Sequence, residues 1–481
     1  MPPEHARTFG GGVADTALQP VVLAALILAL VLIIALPRRY VLWPFLLITF
    51  LVPLGQGIVI AGAHFYVGRI VVIAGLLRLA SAALNSKGRV LAAGYNSIDS
   101  AFFWCTACQT VAVLLLFRDM PSWINQFGVL LDTLGTYVLL RFFIRDEEDT
   151  FRVLKCLALI SLVLAVCMVV EQVKLINVFS FIGGNRATPE LREGKIRSQA
   201  VFQHTLLAGA FGATLLPLFM LLWRSAASKF IGLVGIVGST VMTITSNSST
   251  PLLAYVAGLL GVCLWRIRRK MRMARWTLIA ALAALAVVMK APVWFVIAHI
   301  DLTGGSSGYH RAEVIDQCIR HFTDWWLIGV KDTGSWGWDL WDAQNQFVNV
   351  AETGGLAALI LFIVMISRCF GRIGKARKLV EGDRRREWCL WLLGAALFSH
   401  TVGFFGVNYF DQTRVSWLAL LAMISAVTGP ILQSPSDTQP LSAAAEEPVV
   451  SEAMTPLAAM PWPGGEQAVS LRGHLSDRCY E

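Results

Sequence analysis

The chain has 481 residues, 56% of them hydrophobic and only 15% charged, with a formal net charge of +9 at pH 7. A mean hydropathy of +0.63 excludes an ordinary soluble domain of this length and places the chain in the membrane class. In that class the excess of Lys and Arg reports loop topology rather than a nucleic-acid partner, because basic residues collect on the cytoplasmic side.

Residues 1–19 lack a basic stretch followed by a short apolar region and cleavage site, so they are expected to be an external segment rather than a signal peptide. Apolar runs then recur at 20–36, 40–60, 64–83, 100–117, 121–140, 153–172, 204–223, 230–246, 250–265, 276–298, 346–367, 388–407 and 415–432. Runs of about 17–25 residues mark spanning helices. They predict an all-α fold, a polytopic transmembrane helical bundle of about 12–13 spans within residues 20–432. The run at 276–298 is interrupted by Lys290 and Pro292.

Two arginines lie inside the third run, Arg69 and Arg78 in VGRIVVIAGLLRLA. Intramembrane charge marks a functional candidate by default. Arg69 falls near the outer end of its span and can join an external site, whereas Arg78 falls where it reaches cytoplasmic headgroups. Cys105 and Cys108 form a CxxC inside an apolar run without a second pair or a nearby His, which reads as packing. The spacings Gly209/Gly212 and Gly232/Gly235/Gly238 predict close helix contacts. Residues 433–481, rich in Ser, Pro, Ala and Glu, read as a disordered cytoplasmic tail.

The loops alternate in charge. Those near 38, 87, 141–155, 224–229, 266–275 and 368–386 hold twenty-four Lys and Arg, and the other set holds ten. The first set is therefore expected in the cytoplasm. Two loops of the second set are long enough to build a site, at about 173–203 and 299–345. The first carries Arg186, Arg192, Lys195 and Arg197, with Glu171 near its start as a candidate salt-bridge partner. Cations against the topological bias point to phosphate, which a guanidinium meets with paired, permanently charged donors.

The second loop carries Arg311, Glu313 and His310 in HRAEVIDQCIRH. An amphipathic helix over 310–321 is expected, with Val314, Cys318 and His321 on one face. Beyond it come Trp325, Trp326, Trp336, Trp338 and Trp341, interleaved with Asp324, Asp332, Asp339 and Asp342 and followed by Gln344, Asn345 and Gln346. Such tryptophans form either an interfacial belt or a platform for sugar rings. The interleaved carboxylates and amides favour the platform. There is no phosphate-binding loop, dinucleotide fingerprint or zinc spacing, so an ATP-driven pump is not indicated.

Three stretches together resemble the O-antigen ligase/Wzy polymerase superfamily. They are IRSQAVFQHTLLAGAFGATLLPL around Arg197, GYHRAEVIDQCIRHFTDWWLIGV around Arg311, and QNQFVNVAETGGLAALILFI. The resemblance implies a metal-independent glycosyltransferase of the bacterial inner membrane with its site on the external face and no cofactor. Its substrate would be a polyprenyl-diphosphate-linked glycan, transferred to a second glycan end. Membrane lipids and other polysaccharide-assembly proteins would be its partners, and nucleic acid would not. In that reading Arg197 and Arg311 neutralise the departing diphosphate, while Glu313, Gln344 and Asn345 complete the catalytic set. Arg69, Arg186, His204, His310, Trp325, Trp326, Trp338, Trp341 and Asp342 would contact substrate.

The chain departs from the resemblance at Gln344, where many ligases present His before Asn345. An amide does not titrate and cannot act as a general base. Glu313, Asp342, Glu352 and His310 are then the candidate bases, and a polymerase is favoured over a ligase. The alternative from another class is a transporter or flippase of an anionic lipid-linked substrate, whose signature would be charge or broken helices at mid-membrane.

Overall fold

A computed structural model describes residues 18–60, 63–85, 91, 93–299, 307–338, 340 and 343–433. The chain is mostly helical with two short hairpins. Eight of its described helical stretches are long and apolar enough to cross a membrane. That is fewer than the thirteen apolar runs: the helices at Pro20–Ala35 and Arg38–Leu51 are shorter, and the runs 250–265 and 276–298 fall within the single stretch Ser249–Val288.

Helices α1 (Pro20–Ala35) and α2 (Arg38–Leu51) are short. The predicted run 40–60 ends early at Leu51, and Gly57–Ile60 (β1) pairs antiparallel with Ala63–Tyr66 (β2) before α3 (Val67–Asn85) begins. Arg78 of α3 has a partner within the chain. Its guanidinium donates to the carbonyls of Ile33 and Ile34 at the end of α1, where the last carbonyls of a helix lack internal partners.

Helix α4 (Ser97–Leu116) starts from a capping box. Asn96 accepts from the amides of Ile98 and Asp99, and Asp99 accepts from the Asn96 amide at 2.9 Å. The same Asp99 takes both Nε and Nη2 of buried Arg141, at 2.9 and 3.1 Å, and so ties α4 to the next hairpin arm. That arm is the predicted run 121–140, broken into α5 (Met120–Leu130), a π turn (Leu131–Gly135) and α6 (Thr136–Phe143).

Helices α7 (Glu147–Lys174), α8 (Thr205–Arg224), α9 (Lys229–Thr245) and α10 (Ser249–Cys263) form the densest part of the bundle. The glycine spacings hold as read. A Cβ on Gly212 would stand 2.8 Å from the Ser239 carbonyl oxygen, and one on Gly238 would stand 2.9 Å from the Ser161 backbone. Only glycine lets these helices approach so closely. Helix α11 (Met271–Val288) ends before Lys290 and buries none of its residues, so its apolar surface is left uncovered by the rest of the described chain.

After α12 (Ser307–Arg320) and the single turn α13 (Phe322–Trp325), α14 (Gln346–Leu379) enters the bundle. Cys105 and Cys108 of α4 lie against the carbonyls of Ala358 and Gly354 in α14, as packing residues. Two further helices, α15 (Arg384–Gly403) and α16 (Gln412–Gln433), complete the bundle. Residues 433–481 beyond it lie outside the described residues, apart from Gln433.

Helix α14 is not continuous. Gly355 has φ 68° and ψ −171°, a conformation that breaks the helix directly after its first glycine, Gly354. The backbone groups set loose are taken up by the preceding loop: the Leu356 amide donates to the Trp326 carbonyl at 2.8 Å, and the Val330 amide to the Glu352 carbonyl at 2.9 Å. Broken helices are a transporter signature where they line a path. This break is closed by the chain's own backbone.

Candidate functional site

The long loop after α12 builds a small core of its own. Val314, Cys318, Trp325, Trp336, Leu340 and Ala343 pack with Val348 and Ala351 of α14. Trp325 is buried and its Nε1–H donates to the Cys318 carbonyl at 2.7 Å. Trp336 stacks parallel to His321, with ring centroids 5.4 Å apart. The structure therefore spends these two rings on supporting the loop. Trp326 and Trp338 are exposed, the latter 92%, and Trp341 and Asp342 lie outside the described residues. The expected amphipathic helix forms, but with an altered face. Val314 and Cys318 are buried as read, whereas Arg311 and Asp316 are buried too and His321 is only half-buried.

Arg311 is turned inward because a polar cleft lies there. The cleft, of about 40 Å³, is lined by Arg192, Lys195, Arg197, Arg311, Gln344 and Glu193, with Leu206 and Asn247–Ser249. Arginines 114 residues apart in sequence, Arg197 and Arg311, thus meet at one place.

Each wall has a local cause. β3 (Glu190–Arg192) and β4 (Lys195–Arg197) form a two-residue hairpin whose loop residues Glu193 and Gly194 both have positive φ, 50° and 73°. Such a turn suits the twist of a hairpin. In this register Glu190 faces Arg197, and its carboxylate holds Nη1 at 2.6 Å. Arg197 Nη2 donates to Ser248 Oγ at 2.6 Å, and its buried Nε has no acceptor.

The hairpin is fastened to the turn before α10. Asn247 Nδ2 donates to the Ile196 carbonyl, Gln172 Nε2 to those of Ile196 and Thr245, and the Ser198 amide to Thr245. Glu171 does not pair with the cationic cluster as expected. It accepts the amides of Gln199 and Ala200, at 3.1 and 2.9 Å, and fixes the turn that follows Arg197.

The electrostatics favour an anion. Helices α8 and α10 both start at this cleft, Leu206 lying in the first turn of one and Ser249 opening the other, so two helix N-termini contribute partial positive charge. Burial pushes the Arg197 guanidinium below its ordinary pKa, Glu190 pulls it back up, and the nearby charge of Arg192 pushes it down again. A phosphate arriving here relieves the same crowding of positive charge.

Gln344 and Gln346 part company at Asn345. Asn345 is the N-cap of α14: its Oδ1 accepts from the amides of Phe347 and Val348, and its Nδ2 donates to the Phe405 carbonyl. Its amide is thereby committed to holding the segment. Replacing it with Ala is expected to cost about 1 kcal/mol of stability, readable as a lowered melting temperature of the purified chain. Gln344 lines the cationic cleft. Gln346 Oε1 accepts the Tyr409 amide at 2.8 Å and borders a second cavity, of about 260 Å³. That cavity lies among α4, α5, α14 and α16, with Gln109, Asn349, Thr353 and Arg414 at polar positions and Phe102, Phe362 and Met365 on apolar walls. The turn after α15 touches both: Gly406 packs so tightly against Arg311 that a Cβ there would come within 2.9 Å of Nε.

The other expected site residues stand elsewhere. Arg69 is committed to Asp132, with Nε and Nη2 on its two carboxylate oxygens at 3.0 and 2.7 Å, and also donates to the His64 carbonyl. Arg186 is exposed, and neither it nor His310 nor Glu313 lines the cleft. His204 caps α8 through Nδ1, which accepts the Leu206 amide, and its Nε2 stands 3.9 Å from Glu190. Glu352 is fully buried beside the helix break, away from the cleft.

The sequence reading missed Glu190 and the Asn247–Ser249 turn. The hairpin ELREGKIR carries the signal for the first, since a two-residue turn at Glu193–Gly194 sets position 190 opposite 197. Among the described residues no group of three His, Cys, Asp or Glu side chains could hold a metal ion. No protein-family model matches the chain, and no curated protein sequence matches it either.

Proposed function

We propose that this chain is a polytopic inner-membrane glycosyltransferase of the O-antigen polymerase type, working on polyprenyl-diphosphate-linked glycans at the external face. The observation that carries this reading is the meeting of Arg197, Arg311, Arg192, Lys195 and Gln344 in one cleft at the start of two helices. The donor's diphosphate sits among these cations. As the bond from the anomeric carbon to the phosphate oxygen breaks, the charge growing on the diphosphate is met by donors already in place.

The acceptor hydroxyl attacks the anomeric carbon and loses its proton to a carboxylate. Glu190, which pairs with Arg197, takes that part: phosphate replaces it on the guanidinium and frees it to accept a proton. Gln344 orients the hydroxyl by hydrogen bonding, which an amide can do without titrating. The neighbouring cavity beyond Gln346, polar at some positions and apolar at others, accommodates the acceptor side.

Reconstitution of the purified chain with polyprenyl-diphosphate repeat units tests the reading by product size. Longer glycan with release of polyprenyl diphosphate is expected. Relocation of lipid-linked units across the bilayer without elongation would support the transporter alternative instead. Glu190→Gln is expected to slow elongation by about 10² to 10⁴, while lipid-linked donor still binds. An unchanged elongation rate would remove Glu190 from the role of base.

A further inference from the structure

A second cationic cavity lies at the other end of the bundle, and the proposed chemistry has no use for it. Helix α8 begins at the glycan cleft and ends at Arg224, roughly 28 Å away at 1.5 Å per residue. There a cavity of about 230 Å³ is lined by Arg224, Trp265, Arg268, Arg384 and Trp388. These residues come from three segments: the end of α8, the turn following α10, and the start of α15.

The side chains are organised rather than merely crowded. Arg224 lies over the Trp388 ring at 5.3 Å and Arg268 over the Trp265 ring at 4.1 Å. The two indoles meet edge to face with centroids 4.9 Å apart. Arg268 pairs with Glu387 at 2.9 Å, whereas Arg224 and Arg384 form no ion pair among the described residues. The Nε1–H of Trp388 is buried without an acceptor. Two guanidinium groups, neither in an ion pair among the described residues, therefore border the same space above the indole pair.

All three segments belong to the loops that hold twenty-four of the Lys and Arg residues, the set expected on the cytoplasmic side. Span ends on that side lie among lipid headgroups, many of them anionic. Tryptophan suits the same depth because one part of its ring is apolar and the other donates a hydrogen bond. We propose that this cavity is a binding site for the phosphate of an anionic glycerophospholipid in the surrounding bilayer, held by Arg224 and Arg384 above the Trp265–Trp388 pair. The site is separate from the glycan cleft, so it stands whether or not the glycosyltransferase reading does.

The full chain in detergent, titrated with phosphatidylglycerol or phosphatidylcholine of the same acyl chains, provides the test by native mass spectrometry. Phosphatidylglycerol is expected to bind about tenfold more tightly, because both lipids carry the phosphate but only phosphatidylcholine adds a choline cation that the arginines repel. Arg384→Gln should reduce that preference, and Arg224→Gln combined with Arg384→Gln should abolish it. Arg272→Gln, which removes an exposed arginine outside the cavity, should leave it intact. Equal losses in the Arg272 variant and the double variant would overturn the proposal in favour of diffuse surface charge. Competition by soluble glycerol phosphate at equal phosphate concentration would overturn the lipid assignment.

Discussion

Arg311→Ala should lower polymer formation at least a hundredfold while the chain still inserts and remains folded. Removing one preorganised donor to a developing oxyanion costs about 10² to 10³ in rate, and Arg311 reaches the cleft from α12 with only 7% of its surface exposed. Its position is over-determined, since Gly406 leaves room for no side chain beside it. Arg311→Lys keeps the charge and loses the planar fork, so an intermediate loss of about tenfold is expected. Polymer amount and length in cells, with membrane-inserted protein as the denominator, make the measurement. A normal polymer from the Ala variant would end the case for this cleft as the site.

Gly355→Val should be the most damaging substitution for the framework of the site. At φ 68° a β-branched residue is strained by about 1–3 kcal/mol. Its Cβ would also stand 2.6 Å from the Leu327 carbonyl oxygen, a backbone atom with nowhere to move, which adds about 1–3 kcal/mol of overpacking. The break at Gly355 is where the Trp-rich loop docks on α14 through Trp326, Val330, Glu352 and Leu356. The variant is therefore expected to melt several degrees lower, and proteolysis should cut within residues 321–340 first. Gly374→Ala, in the same helix with open space around its Cα, should show neither effect. If both variants melt like the parent, the break carries no structural load.

How far the sequence could be read differs from residue to residue. The apolar runs located nearly every helix, because burial in lipid needs only length and apolarity. They could not show that 40–60 turns into a hairpin after Leu51 or that 121–140 contains a π turn, since an apolar residue suits any backbone path. Among the tryptophans, the interleaved polar residues favoured a platform over a belt, without saying which rings would form it. Packing assigned Trp325 and Trp336 to the loop's own core.

The charged residues divide for a related reason. A cation facing away from the cytoplasm announces that it has a partner, but sequence does not say which. Arg69 was expected beside Arg197 and is satisfied instead by Asp132, 63 residues on. Arg78 spends its charge on the end of α1.

The sequence by itself determined that the chain is rich in apolar helices of membrane-crossing length, which loops carry the basic excess, and that Arg197, Arg311 and Gln344 need something polar to meet. These are properties of side-chain transfer between water and hydrocarbon, and each residue carries its own. Only the tertiary structure decided that those three share one cleft, that Glu190 and the start of α10 belong to it, and that Asn345 caps a helix while its neighbours face two different cavities. Such facts depend on where distant segments cross, and no residue carries that information alone.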